Sequence, residues 1–291
     1  MSTRGDQLAA DAEKLALKKP LFGKTKAQQQ ASDKYVQAGN AYKIDHCWKR
    51  AGECHMKATE ILIHIKENNT ASEQAIEAAK CFAKDPEAVN ETVDAYQQAS
   101  KLLLENERKT FDAGQALVEA GNVLISADRA DEGIAILEKA VGIFKKTSDS
   151  SANIAKNYEK LGDILTEKKQ YLKAVEFYQN VVDIRLGNAI TQGAATMVFF
   201  KAVLAYLQLN DIVGARKMLD EHLQKNPVYR NDFHYKFLVN VIQKMDDHDQ
   251  EGFDEVTSTF GRQCTVDAWT RARLDGMRAF VGGDEAVNDL C

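Results

Sequence analysis

The 291-residue chain has only three prolines, Pro20, Pro86 and Pro227. So few cannot interrupt helices often, and plentiful Ala, Leu, Lys, Glu and Gln favour helix almost throughout. No apolar run approaches the ~20 residues of a membrane span, and the opening Met-Ser-Thr-Arg-Gly-Asp lacks the apolar core of a secretion signal. A cytosolic location is therefore expected. The five cysteines, Cys47, Cys54, Cys81, Cys264 and Cys291, are odd in number and scattered, which fits reduced thiols and not a disulfide framework. Cys-x-x-Cys and His-x3–5-His pairs are missing, so Cys47 and Cys54, with His46 and His55 beside them, read as core packing and not as metal ligands. Gly-x-Ser-x-Gly, His-Glu-x-x-His and the dinucleotide glycine pattern are missing too, so neither an enzyme nor a cofactor is expected. Gly23-Lys24-Thr25 looks like the end of a phosphate-binding loop, but position 18, where that motif needs its first Gly, is Lys. ATP binding there is rejected. A net charge of −5 argues against a general nucleic-acid binder, while leaving room for local basic surfaces.

What the chain does have is a repeat. Gly133, Ala174 and Ala215 open the segments Gly-Ile-Ala-Ile-Leu137, Ala-Val-Glu-Phe-Tyr178 and Ala-Arg-Lys-Met-Leu219, and the steps 174 − 133 and 215 − 174 are both 41. Each segment sets a small residue four positions before a large apolar one, so both share a helical face and a neighbouring helix can approach closely. Ala120-Gly121, Leu161-Gly162 and Ala202-Val203 keep the same step in the preceding helix. Two helices and two turns fill such a period, somewhat longer than a standard tetratricopeptide unit. The expected fold is all-α: a right-handed tetratricopeptide-like helical-hairpin solenoid over residues 1–225, a C-terminal helical bundle over 226–280 and a flexible acidic tail over 281–291. Pro86 is expected to start the helix bearing Val89, Val93 and Tyr96, and Asn226-Pro227 to cap the helix running through Phe233 and Phe237.

Charge and loops single out the remaining candidates. In Lys18-Lys19-Pro20-Leu21-Phe22-Gly23-Lys24-Thr25-Lys26, Pro and Gly break the helix and place Leu21 and Phe22 on a loop among four lysines. Such a pair suits the interface of an anionic membrane; equally, it could tuck under the first repeat. Lys156 and Lys160, four apart, point the same way from one helix, with Glu159 off their line, and Arg108-Lys109 precede the helix one repeat earlier. A basic column of this kind could hold an elongated acidic partner, although solvated lysines alone would look the same. From Met245 to Phe260 there are six acidic residues and no Lys or Arg, so the distal end of the stack is expected to be acidic.

Taken together, the Leu21-Phe22-Gly23 loop between the first two helices, the helix-pair array, Phe199-Phe200-Lys201-Ala202, Val266-Asp267-Ala268-Trp269 and the acidic tail with Leu290 penultimate resemble the soluble NSF attachment protein (SNAP) family. The resemblance covers nearly the whole chain. It implies a non-enzymatic adaptor that clamps assembled SNARE four-helix bundles (syntaxin-type and related) and recruits and stimulates the hexameric ATPase NSF. The ATPase then pulls the bundle apart after membrane fusion, in vesicle traffic such as ER–Golgi transport, with the adaptor held peripherally on the membrane. By position, the resemblance assigns membrane contact to Leu21 and Phe22 with Lys18, Lys19, Lys24 and Lys26 around them, SNARE contact to Arg108, Lys156 and Lys160, and ATPase contact to Asp284, Glu285, Asp289 and Leu290. Gly114 and Thr196 stand where the α-type pattern has basic residues, and Ala286, Val287 and Asn288 dilute the acidic tail. Trp269 is similar to the α type and the terminal Leu-Cys to the γ type, so the subtype stays open. The other reading of the same array is a scaffold that grips a linear peptide in its groove.

Overall fold

The computed structural model describes residues 3–17, 24–146 and 151–282. Among them are fourteen α-helices and no strand, so the chain is all-α and built of tetratricopeptide-like helical hairpins. Two compact units form, residues 1–149 and 150–291. The first holds α1 (Arg4–Leu17), α2 (Lys24–Ile44), α3 (Trp48–His64), α4 (Asn68–Phe82), α5 (Val89–Leu103), α6 (Thr110–Ser126) and α7 (Ala130–Phe144), each packed on the next. The second holds α8 (Ser151–Glu167), α9 (Tyr171–Leu186), α10 (Ala195–Leu207), α11 (Ile212–Lys225), α12 (Phe233–Asp246), α13 (Gln250–Gln263) and α14 (Ala268–Val281). Here α8, α9 and α10 pack in sequence, and α14 folds back against α10, α12 and α13.

The 41-residue period is real in the structure: α7, α9 and α11 begin at 130, 171 and 212. The turn before each of these helices contains one residue in the left-handed region, Asp128 (φ 59°), Lys169 (φ 59°) and Asn210 (φ 55°), at the same 41-residue step. At two of these turns the chain closes a Schellman bond, the Arg129 amide donating to the Leu124 carbonyl at 2.9 Å and the Gln170 amide to the Leu165 carbonyl at 2.9 Å. These bonds satisfy carbonyls that the helix end would otherwise leave bare. They offset part of the roughly 1–2 kcal/mol that a side chain such as Lys169 costs in this conformation.

Small residues do what their spacing predicts. A Cβ on Gly133 would lie 2.8 Å from the Gly121 carbonyl oxygen, so α6 and α7 meet backbone to backbone. Helix propensity favours Gly133→Ala by about 1 kcal/mol. The clash is with backbone, which cannot rotate away, so we expect a net loss of about 1–3 kcal/mol in urea unfolding; a stabilised variant would show that α6 and α7 can separate freely.

Two local expectations are corrected. Pro86 lies in the turn before α5, which starts at Val89 after Ala88. Asn226-Pro227 opens a short 3-10 turn, Pro227–Asn231. The helix that follows is capped by Asp232, whose carboxylate accepts from the His234 amide at 2.8 Å and so satisfies one of the N–H groups that the first turn leaves free. The acidic run is not bare: Asp246 pairs with Arg216 at 2.7 Å, Asp249 with Lys244 at 2.6 Å and Asp254 with Arg278 at 2.6 Å. As for the cysteines, Cys47 sits just outside α3 as its N-cap residue, while Cys54 and Cys81 are buried in one cluster with Tyr35, Ala38 and Ala51. Burial pushes the Cys54 thiol up to about 11.

Candidate functional site

α8 carries the basic pair. Ile154, Ala155, Tyr158, Leu161 and Leu165 are buried and fix the rotation of the helix, which leaves Lys156 and Lys160 exposed on its far side. Among the described residues neither lysine forms an ion pair.

That freedom needs explaining, because each lysine has a carboxylate three positions on, Glu159 after Lys156 and Asp163 after Lys160. On an isolated helix such pairs attract. Here the carboxylates turn away to the neighbouring helices. Glu159 accepts from Arg185 of α9 at 2.7 Å and from Lys201 of α10 at 3.3 Å. Asp163 accepts from Lys201 at 2.9 and 3.0 Å and from the Tyr178 hydroxyl at 2.6 Å. The Lys201 side chain is only 15% exposed. Burial works against its charge, but Asp163 and Glu159 outweigh that and hold its ammonium above the usual lysine range. Burial, then the charge of Asp163, pushes the Tyr178 phenol up, so it stays a donor.

α14 covers this junction. Trp269 meets Tyr178 edge-on at 6.3 Å between centroids, and the Lys201 ammonium lies 5.5 Å from the Trp269 ring. Arg273 donates to the Thr166 carbonyl at 3.0 Å, near the C-terminal end of α8. Gly162 makes room for Tyr178: a Cβ there would sit 2.5 Å from the ring.

Arg108 belongs to the first unit. It lies exposed in a 3-10 turn, Glu107–Lys109, ahead of α6, and its amide donates to Asn106 Oδ1 at 3.1 Å. Lys109 beside it is half-buried, 3.9 Å from Glu73. Gly114 is buried, and a Cβ there would lie 2.5 Å from the Phe144 ring, so a basic side chain at this position would have to displace that aromatic. Thr196 bonds its own turn, the hydroxyl donating to the Gly193 carbonyl at 2.9 Å.

The other expected contacts are placed only in part. Lys18, Lys19, Leu21 and Phe22 lie outside the described residues, as do Asp284, Glu285, Asp289 and Leu290. Lys24 opens α2, and Lys26 is exposed in its first turn. Sequence reasoning missed the roles of Arg185, Tyr178 and Lys201. A signal existed for Lys201: it is the single charge between Met197 and Leu207, and a lone ammonium in an apolar helix needs a partner.

A family model described as "Soluble NSF attachment protein, SNAP" matches residues 3–277. The chain belongs to the soluble NSF attachment protein family. This is a family of adaptors, not enzymes. Relatives of nearly equal length include an alpha-soluble NSF attachment protein of Vitis vinifera, 24% identical over 98% of this chain and 97% of its own. A beta-soluble NSF attachment protein of Bos taurus is 21% identical over 98% and 96%. The alpha-soluble NSF attachment protein of Saccharomyces cerevisiae is 26% identical over 88% and 87%. Among solved structures, the apo form of RapI is similar at a TM-score of 0.48 and 12% identity, over 94% of this chain and 79% of that one. Among the described residues no helix is long and apolar enough to cross a membrane, and no group of three His, Cys, Asp or Glu could hold a metal ion.

Proposed function

We propose that the chain is an adaptor that grips the assembled SNARE four-helix bundle and recruits and stimulates the NSF ATPase for its disassembly in vesicle traffic. The observation that carries this reading is on α8: two of its three carboxylates, Glu159 and Asp163, are taken up by Arg185, Lys201 and Tyr178, so among the described residues Lys156 and Lys160 meet solvent without an ion pair. An elongated bundle with acidic side chains is the kind of partner that such a face attracts. Membership of a family named for NSF attachment supports the same reading. Arg108 adds a basic contact from the first unit.

In this reading residues 1–225 form the gripping array and residues 226–280 the bundle that faces the ATPase. Asp284, Glu285, Asp289 and Leu290 of the tail contact the ATPase. Leu21 and Phe22 dip into the membrane while Lys18, Lys19, Lys24 and Lys26 meet anionic headgroups, each worth about 1 kcal/mol. The protein is then cytoplasmic and peripherally bound. Three weak contacts give useful avidity only when membrane, bundle and ATPase are engaged together.

A second reading has its own observation. A groove of about 540 Å³ lies between α4, α5 and α6, floored by Ile76, Tyr96, Leu103 and Ala116 and rimmed by Glu73 and Lys109. It could hold a linear peptide. Capture on an immobilised assembled bundle, beside single SNARE proteins, separates the two. We expect retention on the bundle alone, with NSF retained only when the chain is present; equal retention on single unfolded SNARE segments would favour the peptide scaffold.

A further inference from the structure

We propose that Lys201 and Arg185 are positioning residues for the basic face of α8: they hold Glu159 and Asp163 out of reach of Lys156 and Lys160, so both ammonium groups remain available to an anionic partner. This rests on the proposed SNARE contact and identifies what keeps that contact charged.

The geometry on α8 sets up a competition. Glu159 follows Lys156 by three positions and Asp163 follows Lys160 by three, the spacing at which helix side chains meet. Asp163 is also seven positions from Lys156, two helical turns on, so it lies almost in line with the lysines. Left alone, these carboxylates would neutralise the face from within. Neither i,i+3 pair forms. Lys201 holds both oxygens of Asp163, at 2.9 and 3.0 Å, and reaches Glu159 at 3.3 Å, while Arg185 takes the other Glu159 oxygen at 2.7 Å.

The holders are well placed to win. The side chains of Arg185 and Lys201 are only 19% and 15% exposed, so their attraction for the carboxylates is less screened than that of an exposed lysine. Both are also anchored. Arg185 donates a further bond to the Ala194 carbonyl at 2.9 Å, and Lys201 lies against the Trp269 ring. Lys156 and Lys160 would have to order long exposed side chains to compete.

The test is the affinity of full-length chain for assembled SNARE bundle, measured at low and high salt for Lys201→Met, Lys201→Arg and Asp163→Asn with Lys201→Met, each checked for folding by circular dichroism. Lys201→Met should weaken binding on the order of fivefold at low salt, with the deficit shrinking at high salt. Lys201→Arg should restore it, and so should the double variant, which removes the competing carboxylate along with its holder. A purely structural role for Lys201 predicts a deficit of equal size at low and high salt. Unchanged binding in folded Lys201→Met, or a salt-independent deficit, overturns the proposal. Should Lys201→Met fail to fold, Arg185→Met takes its place with Glu159→Gln as the rescuing partner, under the same criteria. Retention of each variant on immobilised poly-glutamate reads the α8 face without any SNARE protein. If the wild type ignores the bundle but Lys201→Met still loses retention, the SNARE reading fails and the positioning role stands.

Discussion

Reversing Lys156 and Lys160 to glutamate lowers the affinity for an assembled SNARE bundle by on the order of a hundredfold at low salt. Each reversal removes one attraction and adds one repulsion, and an exposed pair is worth about 0.2–1 kcal/mol. Four such contributions come to about 1–4 kcal/mol, whose middle is on the order of a hundredfold. The fold should not suffer, because both side chains are exposed and hold no ion pair among the described residues. Titration calorimetry at two salt concentrations checks this. Most of the difference should vanish as salt screens the surface, and a loss of equal size at high salt would point to misfolding instead of lost charge.

Truncating Tyr178 to Ala destabilises the second unit by about 3–5 kcal/mol, the range for deleting a buried aromatic side chain. Tyr178 is 0% exposed, fills the notch left by Gly162, and meets Trp269 edge-on. Its hydroxyl also donates to Asp163, so truncation removes a bond to a charged acceptor as well as a ring. Tyr178→Phe keeps the ring and should cost only about 1–3 kcal/mol. Urea unfolding of both variants separates ring from hydroxyl. A cost below about 1 kcal/mol for Tyr178→Ala would mean that α8, α9 and α14 close over the space.

The repeat was legible because its signal is local. A small residue four positions before a large one recurs at 41 residues, and Gly133 and Ala174 are buried where that pattern puts them. The turns were less legible. Asp128, Lys169 and Asn210 share a left-handed backbone but no side-chain type, and Lys has no preference of its own for that conformation, unlike Asn and Asp. The bond pattern of the helix end selects the conformation. Pro86 misled because a proline suits the turn before a helix as well as its first turn.

On α8 the lysines could be found from their four-residue spacing, but not the reason they are free. Glu159 is 42 residues from Lys201 and 26 from Arg185, so nothing in the local sequence says which cation it meets. Half of the acidic run after Met245 is paired in a way the local sequence does not show either. Arg216 reaches Asp246 from 30 residues away and Arg278 reaches Asp254 from 24, pairings made only when the helices pack. A charge pattern in sequence therefore gives the inventory of a surface, and packing decides which charges remain on it.

The most direct measurement is the affinity of the wild-type chain for an assembled SNARE bundle across a series of salt concentrations. A charge-driven grip through Lys156, Lys160 and Arg108 predicts tight binding at low salt that falls steadily as salt rises. Affinity that stays constant across the series, or no binding at any salt, would contradict it.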